Sequence, residues 1–490
     1  AEKKPLVVDT RRCWGPFMVS IDKTPLVVLD ACSQIATLTH GFAHPDILRE
    51  LHSGKFSDCL WRNPDTAVEQ VRAVEAYADA VRCIAPQELE HVSLVCAGGA
   101  EANEKALRIA RLHAPAGRGR NRVLAFQGGF HGRMFAALMA TWNPVKRAAF
   151  ELPGYEAVFC PTDLEQVAAT LEARGKELYA IIIEPMMSEG GDIHLAAEFF
   201  RGLVKLARAH KLPLIVDEVQ TGFGTGGTPL WWQRLGLTDD PEATPDLMTV
   251  AKKAALGVVL SRWPDPERAF NQVHVASAVR GHIQLSTSEE MAELELPLAE
   301  ELQGLAARFP ETLSNPRVAG CTFAFELPTT ELKNAFIAQR LQRGFMTYGA
   351  GVRTIRFRLN AQFSRKEISR LFVRIAATIE RLTADDASTW ISEGSRPGGV
   401  STDPKVILRE ITSEDWPAIM EIEHATYEPE RCDSETYLRR CEQGGVGFVA
   451  VDTADGAQTI VGFCTGAPLE KFADVGGPDR DPRLNRGDTF

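Results

Sequence analysis

The apolar positions of this chain follow two alternating rhythms. Short β-branched runs recur between about residues 90 and 260, at His91–Cys96, Arg122–Phe126, Tyr179–Ile183, Leu212–Val216 and Leu247–Val250. Each is four to six residues long and largely apolar, which predicts strands buried on both faces. Between them lie amphipathic segments, among them Ala102–Leu112 and Glu198–His210, which predict helices with one buried stripe. Strand and helix in alternation imply an α/β fold, a mainly parallel sheet covered by helices on both faces. Polar residues just past the carboxyl ends of such strands are where ligands bind.

A second region, roughly Glu290 to Leu382, reads as helix, short strands at Thr322–Phe325 and Thr354–Phe357, and a closing helix Arg365–Leu382. This predicts a smaller α/β unit, which the N-terminal segment to about Leu51 joins. The expected organisation is therefore 1–51 and 286–383 as the two parts of a small domain, with 52–285 as a large domain. Residues 384–404 are rich in Asp, Ser, Gly and Pro and read as a linker, with 395–402 its most flexible stretch. In the tail, 405–490, a strand at Val406–Glu410 precedes a helix opened by Thr412–Asp415. Runs Gly447–Val451 and Thr459–Cys464 flank the turn Ala454-Asp455-Gly456 and predict a hairpin.

Composition narrows the class. Of 490 residues, 44% are hydrophobic and 24% charged, which excludes a disordered chain, a collagen-like repeat and a coiled-coil rod. A net charge of −11 repels a phosphate backbone, so nucleic acid is not an expected partner. No apolar run approaches the length of a membrane span. Charges on both sides of Leu6–Val8 argue against a secretory leader. Ten scattered cysteines without a C-x-x-C pair suggest neither a zinc site nor a secreted disulfide framework. The expectation is a cytoplasmic protein without a metal and without a membrane partner.

Three elements carry candidate chemistry. In Cys96-Ala97-Gly98-Gly99-Ala100-Glu101 a strand ends, a glycine pair turns and a helix begins. The free N–H groups of such a helix start, with the helix dipole behind them, suit a phosphate, although many such turns bind nothing. Asp217 directly follows a buried strand, and a buried carboxylate wants a cationic partner. It either caps a neighbouring loop or holds a protonated heterocyclic nitrogen. Lys252 and Lys253 follow the strand Leu247–Val250; a lysine there is a solvated surface group or, in a partly dry cleft, an amine able to form imines.

Taken in chain order, these elements resemble the class III aminotransferases, fold-type-I enzymes that use pyridoxal 5'-phosphate (PLP). The resemblance spans about Trp14 to Leu382. Its motifs are GGAEANEKALRIAR at 98–111, GGFHGR at 128–133, EPMMSEGGD at 184–192, VDEVQTGFG at 216–224, PDLMTVAKK at 245–253 and TIRFR at 354–358. The wording is closest to 4-aminobutyrate and lysine 6-aminotransferases.

The resemblance implies roles position by position. Lys252, the first lysine of the pair, would carry PLP as an imine and then shuttle the proton, with Lys253 the lesser candidate. Asp217 would pair with the ring N–H. Phe130 and Val219 would cover the two ring faces, Gln220 would bond the ring 3′-oxygen, and the N–H groups of Gly99 and Ala100 would bind the phosphate. Arg356 would fork onto the α-carboxylate of glutamate and 2-oxoglutarate, Arg133 would take the distal carboxylate of an ω-amino acid, and Glu189 would gate Arg356. Arg358 is given no ligand by the family pattern. The implied activity transfers the terminal amino group of an ω-amino or diamino acid to 2-oxoglutarate in a ping-pong cycle, in a homodimer with active sites at the subunit interface. An aminomutase, racemase or lyase on the same cofactor is the alternative.

Two departures stand out. Gly98 replaces a commoner Ser in the phosphate cradle. Gln272 or His274 stands where the family carries a Thr that reaches the neighbouring subunit's phosphate. The tail resembles the front half of a GNAT-type acetyltransferase, but that family's pyrophosphate loop is not found before Phe490. An acyltransferase partner activity, making a bifunctional enzyme, is thus expected only of a longer chain, and an accessory docking module is the other reading.

Overall fold

A computed structural model describes residues 6–22, 25–53, 68–96, 98–114, 120–148, 150, 153–266 and 273–383, and in the tail the backbone of three strands. The chain divides into two units, Ala1–Thr389 and Trp390–Phe490.

The centre of the first unit is a seven-stranded sheet. Its strand order is His91–Val95, Gly257–Ser261, Leu247–Val250, Leu214–Glu218, Leu178–Ile183, Arg122–Phe126 and Val158–Cys160. Five neighbouring strands run parallel, while Gly257–Ser261 is antiparallel to both its neighbours. Every residue of Leu178–Ile183 is buried, because helices cover both faces of the sheet. One core, around Phe126, Ile181, Phe200 and Trp232, fills one face; a second, around Leu107, Ile182, Ile215 and Val259, fills the other. Helix Gly99–His113 buries Ala102, Asn103, Ala106, Leu107, Ile109 and Ala110, the three-and-four spacing of a one-sided stripe.

Two strands of this sheet escaped the sequence reading. Gly257–Ser261 has the apolar character of its neighbours but enters by reversal after the single 3-10 turn Lys252–Ala254, not through a crossover α-helix. Val158–Cys160 is a three-residue edge strand, too short to show a period. The run expected at Leu212–Val216 begins at Leu214 and extends to Glu218, one residue past Asp217.

The smaller sheet is antiparallel, in the order Ser314–Ala319, Thr322–Glu326, Thr354–Arg358 and Tyr348–Ala350, and packs helices Glu295–Arg308 and Arg365–Thr383. Leu29 and Ala31 lie in the core of this layer, Leu29 bridges Phe345, and the Arg358 N–H donates to Ala31 O.

In the tail, Val406–Glu410, Val446–Asp452 and Thr459–Gly466 form an antiparallel three-stranded sheet. The linker at 384–404 and the helix expected after Thr412 lie outside the described residues, as does Gln272. Among the described residues, no helix is long and apolar enough to cross a membrane.

Candidate active site

Parallel pairing sets the centre of the site. Thr249 stands opposite Asp217 on adjacent strands, so the chain leaving Val250 carries Lys252 past the strand end beside the carboxylate. Alternation along Leu214–Glu218 sends Asp217 and Glu218 to opposite faces. Glu218 turns away and caps the short helix Trp231–Arg234, accepting from the N–H groups of Trp231 (2.7 Å) and Trp232 (2.8 Å). Burial pushes its carboxyl up to about 7.

Asp217 is 3% exposed and held from behind. Asn103 Nδ2 donates to its Oδ2 at 2.7 Å, His131 Nδ1 lies 2.7 Å from the same oxygen, and the Val219 N–H donates to Oδ1 at 2.9 Å. Thr249 Oγ1 in turn donates to Asn103 Oδ1 at 2.7 Å. Among the described residues no lysine or arginine pairs with this carboxylate. A buried acid backed by fixed donors and left without a lysine or arginine suits a protonated ring nitrogen. Asn103 and His131 were not singled out from sequence. The signal for Asn103 was available: it is the one polar residue in the buried stripe of its helix.

Lys252 sits half-buried with φ +54°, a left-handed conformation that costs a non-glycine residue energy and persists only where the surroundings impose it. They do so through the two residues that follow. Lys253 is fully buried, its ammonium donating to Thr225 Oγ1 at 2.8 Å. Gln284 Nε2 donates to Lys253 O, and the Tyr77 hydroxyl donates to Ala254 O, each at 2.8 Å. Lys253 is thus a structural peg, while Lys252 lies within electrostatic reach of Arg356, Glu184 and Asp217. Burial, helped by the nearby Arg356, lowers Lys252 to about 8, with Glu184 and Asp217 acting in the opposite direction.

That shift has a measurable consequence. The neutral amine is the nucleophile, and at pH 7 roughly one molecule in ten holds it, against about one in 3,000 for an ordinary lysine. Uptake of PLP by the cofactor-free protein, followed by absorbance, should therefore rise with pH and level off near pH 8–9. A continued rise toward pH 10.5 would mean an unshifted lysine.

The cradle opens at Gly98, with φ +90° and ψ −150°, where a side chain would find open space but the backbone conformation excludes it. Helix Gly99–His113 starts there without a side-chain cap, and its first internal bond runs from the Ala102 N–H to Gly98 O. The N–H groups of Gly99 and Ala100 precede that bond, as an anion site at a helix start requires. His274 is exposed at the start of helix Val275–Ser286, with its backbone N–H toward Cys96 beside the cradle.

The remaining residues come from three loops that meet closely. A Cβ at Gly190 would lie 2.6 Å from Gly128 O, so only glycine lets the loop of Glu189 pass the loop of Phe130. Gly351, in the turn before Thr354, donates its N–H to Glu189 O at 2.9 Å. Glu189 Oε1 then accepts from Arg356 Nη2 at 3.3 Å, and Oε2 from Lys146 Nζ at 2.7 Å. Phe130 is half-buried, its N–H donating to Glu184 Oε1 at 2.9 Å, and Val219 is half-buried beside Asp217. Glu184 is buried, and its carboxyl is pushed up to about 7. Gln220 Oε1 accepts from Arg356 and Arg358, each at 3.3 Å, which leaves its amide N–H groups to donate. Arg358 is committed to the buried Asp192 carboxylate, at 3.2 Å from Nη1 to Oδ2. Arg133 is exposed after Gly132, and no hydrogen bond or ion pair engages it among the described residues.

A buried acid, a depressed lysine and a helix start with unbonded N–H groups thus come from neighbouring strand ends, and comparison with known proteins gives the family. The chain belongs to aminotransferase class III, whose family model matches residues 1–379; it is a PLP-dependent aminotransferase. It is 26% identical over 426 residues to the mitochondrial 4-aminobutyrate aminotransferase of Sus scrofa, covering 74% of this chain and 83% of that protein. It is 29% identical over 428 residues to the L-lysine-epsilon aminotransferase of Mycobacterium tuberculosis, covering 77% and 92%. The structure of lysine aminotransferase from M. tuberculosis in the internal aldimine form superposes with a TM-score of 0.68 at 26% identity, over 78% of this chain and 97% of that one.

Proposed function

We propose that the enzyme moves the terminal amino group of an ω-amino or diamino acid, of the 4-aminobutyrate or lysine type, to 2-oxoglutarate. The observation that carries this reading is the Glu189–Arg356 pair at 3.3 Å. A pocket that handles only α-amino acids has use for Arg356 as a permanently open carboxylate fork. A carboxylate of the chain's own, seated on that fork, closes it when the donor brings no α-carboxylate and yields it when 2-oxoglutarate or glutamate arrives.

PLP, when bound, supplies an electron-withdrawing ring that takes up the charge left as a substrate C–H bond breaks. Asp217 keeps the ring nitrogen protonated. Gly99 and Ala100 offer N–H groups to the phosphate, Gln220 donates to the ring oxygen, and Phe130 and Val219 exclude water from the two faces. Lys252 would hold the cofactor through its amine, and the same amine is the proton carrier of this site. Arg356 orients the α-carboxylate, and the unengaged Arg133 is the candidate for a distal carboxylate. The exposed apolar side chains of Met134, Phe135, Trp142, Val145, Phe150 and Tyr155 support assembly with a second copy beside this site. For the tail, the antiparallel strand order supports an acetyltransferase-like opening, and no acyl transfer is assigned to it.

The test is a donor panel with 2-oxoglutarate as acceptor, following glutamate release. Turnover with 4-aminobutyrate or lysine and not with the matching α-monoamino acids is expected. Turnover without any acceptor would replace the reading with an aminomutase, racemase or lyase.

A further inference from the structure

The cation that holds Glu189 most closely is not Arg356 but Lys146, which belongs to none of the motifs read in the sequence. It sits on the four-residue helix Pro144–Arg147, 43 positions before Glu189 in the chain. That helix is built to hold still. Asn143 caps it by accepting from the Val145 N–H at 3.0 Å. Arg147 donates to Thr141 O and Trp142 O, each at 2.6 Å, and lies over the Phe159 ring. Lys146 then reaches across Phe130, its ammonium 4.3 Å from the ring centroid, to end 2.7 Å from Glu189 Oε2.

Glu189 is thus shared by two cations, one oxygen on each, and the contacts are unequal: 2.7 Å to Lys146 and 3.3 Å to Arg356. An incoming α-carboxylate competes only for Arg356. If Arg356 were the sole partner, displacement would leave Glu189, whose side chain is 37% exposed, with solvent alone and no counter-charge. With Lys146 already bonded to the other oxygen, Glu189 keeps a counter-charge throughout.

We propose that Lys146 is the resting partner of Glu189, a positioning residue that holds the carboxylate while Arg356 is handed to an α-carboxylate, and so sets the balance between the two substrates. This rests on the reading of Glu189 and Arg356 as a gate. Without Lys146, Glu189 has only Arg356 to pair with, so the gate closes harder. The acceptor then loses and the ω-amino donor does not lose in proportion, an asymmetry that a merely structural residue would not produce.

The experiment uses the PLP-loaded full chain. 2-Oxoglutarate has no amino group to give up, so its dissociation constant for this form can be measured by calorimetry without turnover. Lys146→Met should weaken it roughly tenfold or more, the range of an ordinary coupling between sites, and Lys146→Arg should restore most of the loss. Glu189→Ala should remove the Lys146→Met effect in the double variant. In kinetics, Lys146→Met should shift the ratio of kcat/KM for donor and acceptor at least about tenfold against the acceptor. Unchanged 2-oxoglutarate binding in Lys146→Met overturns the proposal. So does an equal loss in the Glu189→Ala background, which would mean that Lys146 touches the ligand itself. The gate reading fails separately, if Glu189→Ala alone leaves the donor-to-acceptor preference unchanged.

Discussion

Replacing Lys252 by alanine should lower transamination by at least about 10⁴-fold, the upper range for loss of a positioned proton carrier, before the lost covalent hold on the cofactor is counted. Borohydride reduction should attach PLP to the peptide containing residue 252 in the parent chain and to no peptide in the variant. The fold should survive, because the strained turn is held by Lys253, Gln284 and Tyr77 rather than by Lys252. Alanine also removes a half-buried cation whose own ammonium makes no hydrogen bond among the described residues, so circular dichroism and the melting temperature should change little. Lys253→Ala is the informative contrast. It should melt earlier, having lost a fully buried peg on Thr225, yet still take up PLP at position 252. Turnover retained in Lys252→Ala, or cofactor found on residue 253, would reverse the two assignments.

Much of this was legible before any coordinates. The buried runs gave away the strands because a sheet covered on both faces needs apolar residues at every position, and such runs stand out without knowledge of their partners. Asp217 and the lysine pair drew attention as polar residues at the ends of those runs, and the resemblance to a known family chose Lys252 over Lys253. What stayed hidden depends on chain segments that meet only in the folded state. Nothing near Gly257 signals that its strand enters between His91–Val95 and Leu247–Val250 and runs against both. The edge strand Ser314–Ala319 contains Pro316 and a bulge between Ser314 and Arg317, which breaks the period-two pattern that would have marked it.

The site divides along the same line. The motif residues were found because they are contiguous words. Lys146 was not, since its significance lies in a 2.7 Å contact with a residue 43 positions away. His131 stood inside a quoted motif without an assigned role; its contact with Asp217 spans 86 positions. Arg358 shows the opposite failure of proximity. It is two residues from Arg356 and points to the same side of the strand, yet Asp192 takes it. A guanidinium so committed is the counter-ion of a buried acid, and of the two arginines it leaves Arg356 the less engaged.

The second large effect is expected at Asp217. Asp217→Asn keeps the shape and removes the charge that a protonated ring nitrogen needs, and breaking a buried pair by taking away one partner costs about 3–5 kcal/mol. At 1.36 kcal/mol per tenfold, kcat should fall by roughly 10²–10⁴-fold. The hydrogen bonds make the substitution harsher than its geometry suggests. Oδ1 accepts from the Val219 N–H and Oδ2 from Asn103, so an amide in either orientation sets its own N–H groups against a donor. A stability loss of about 1–3 kcal/mol should accompany the kinetic one and be visible as an earlier thermal transition. Asn103→Ala separates the two effects. It removes a donor from behind the carboxylate while leaving the charge in place, so it should lose comparable stability and much less than Asp217→Asn in kcat. Equal losses of kcat in both variants would mean that the network acts only as scaffold and that the charge at 217 does not take part in the chemistry.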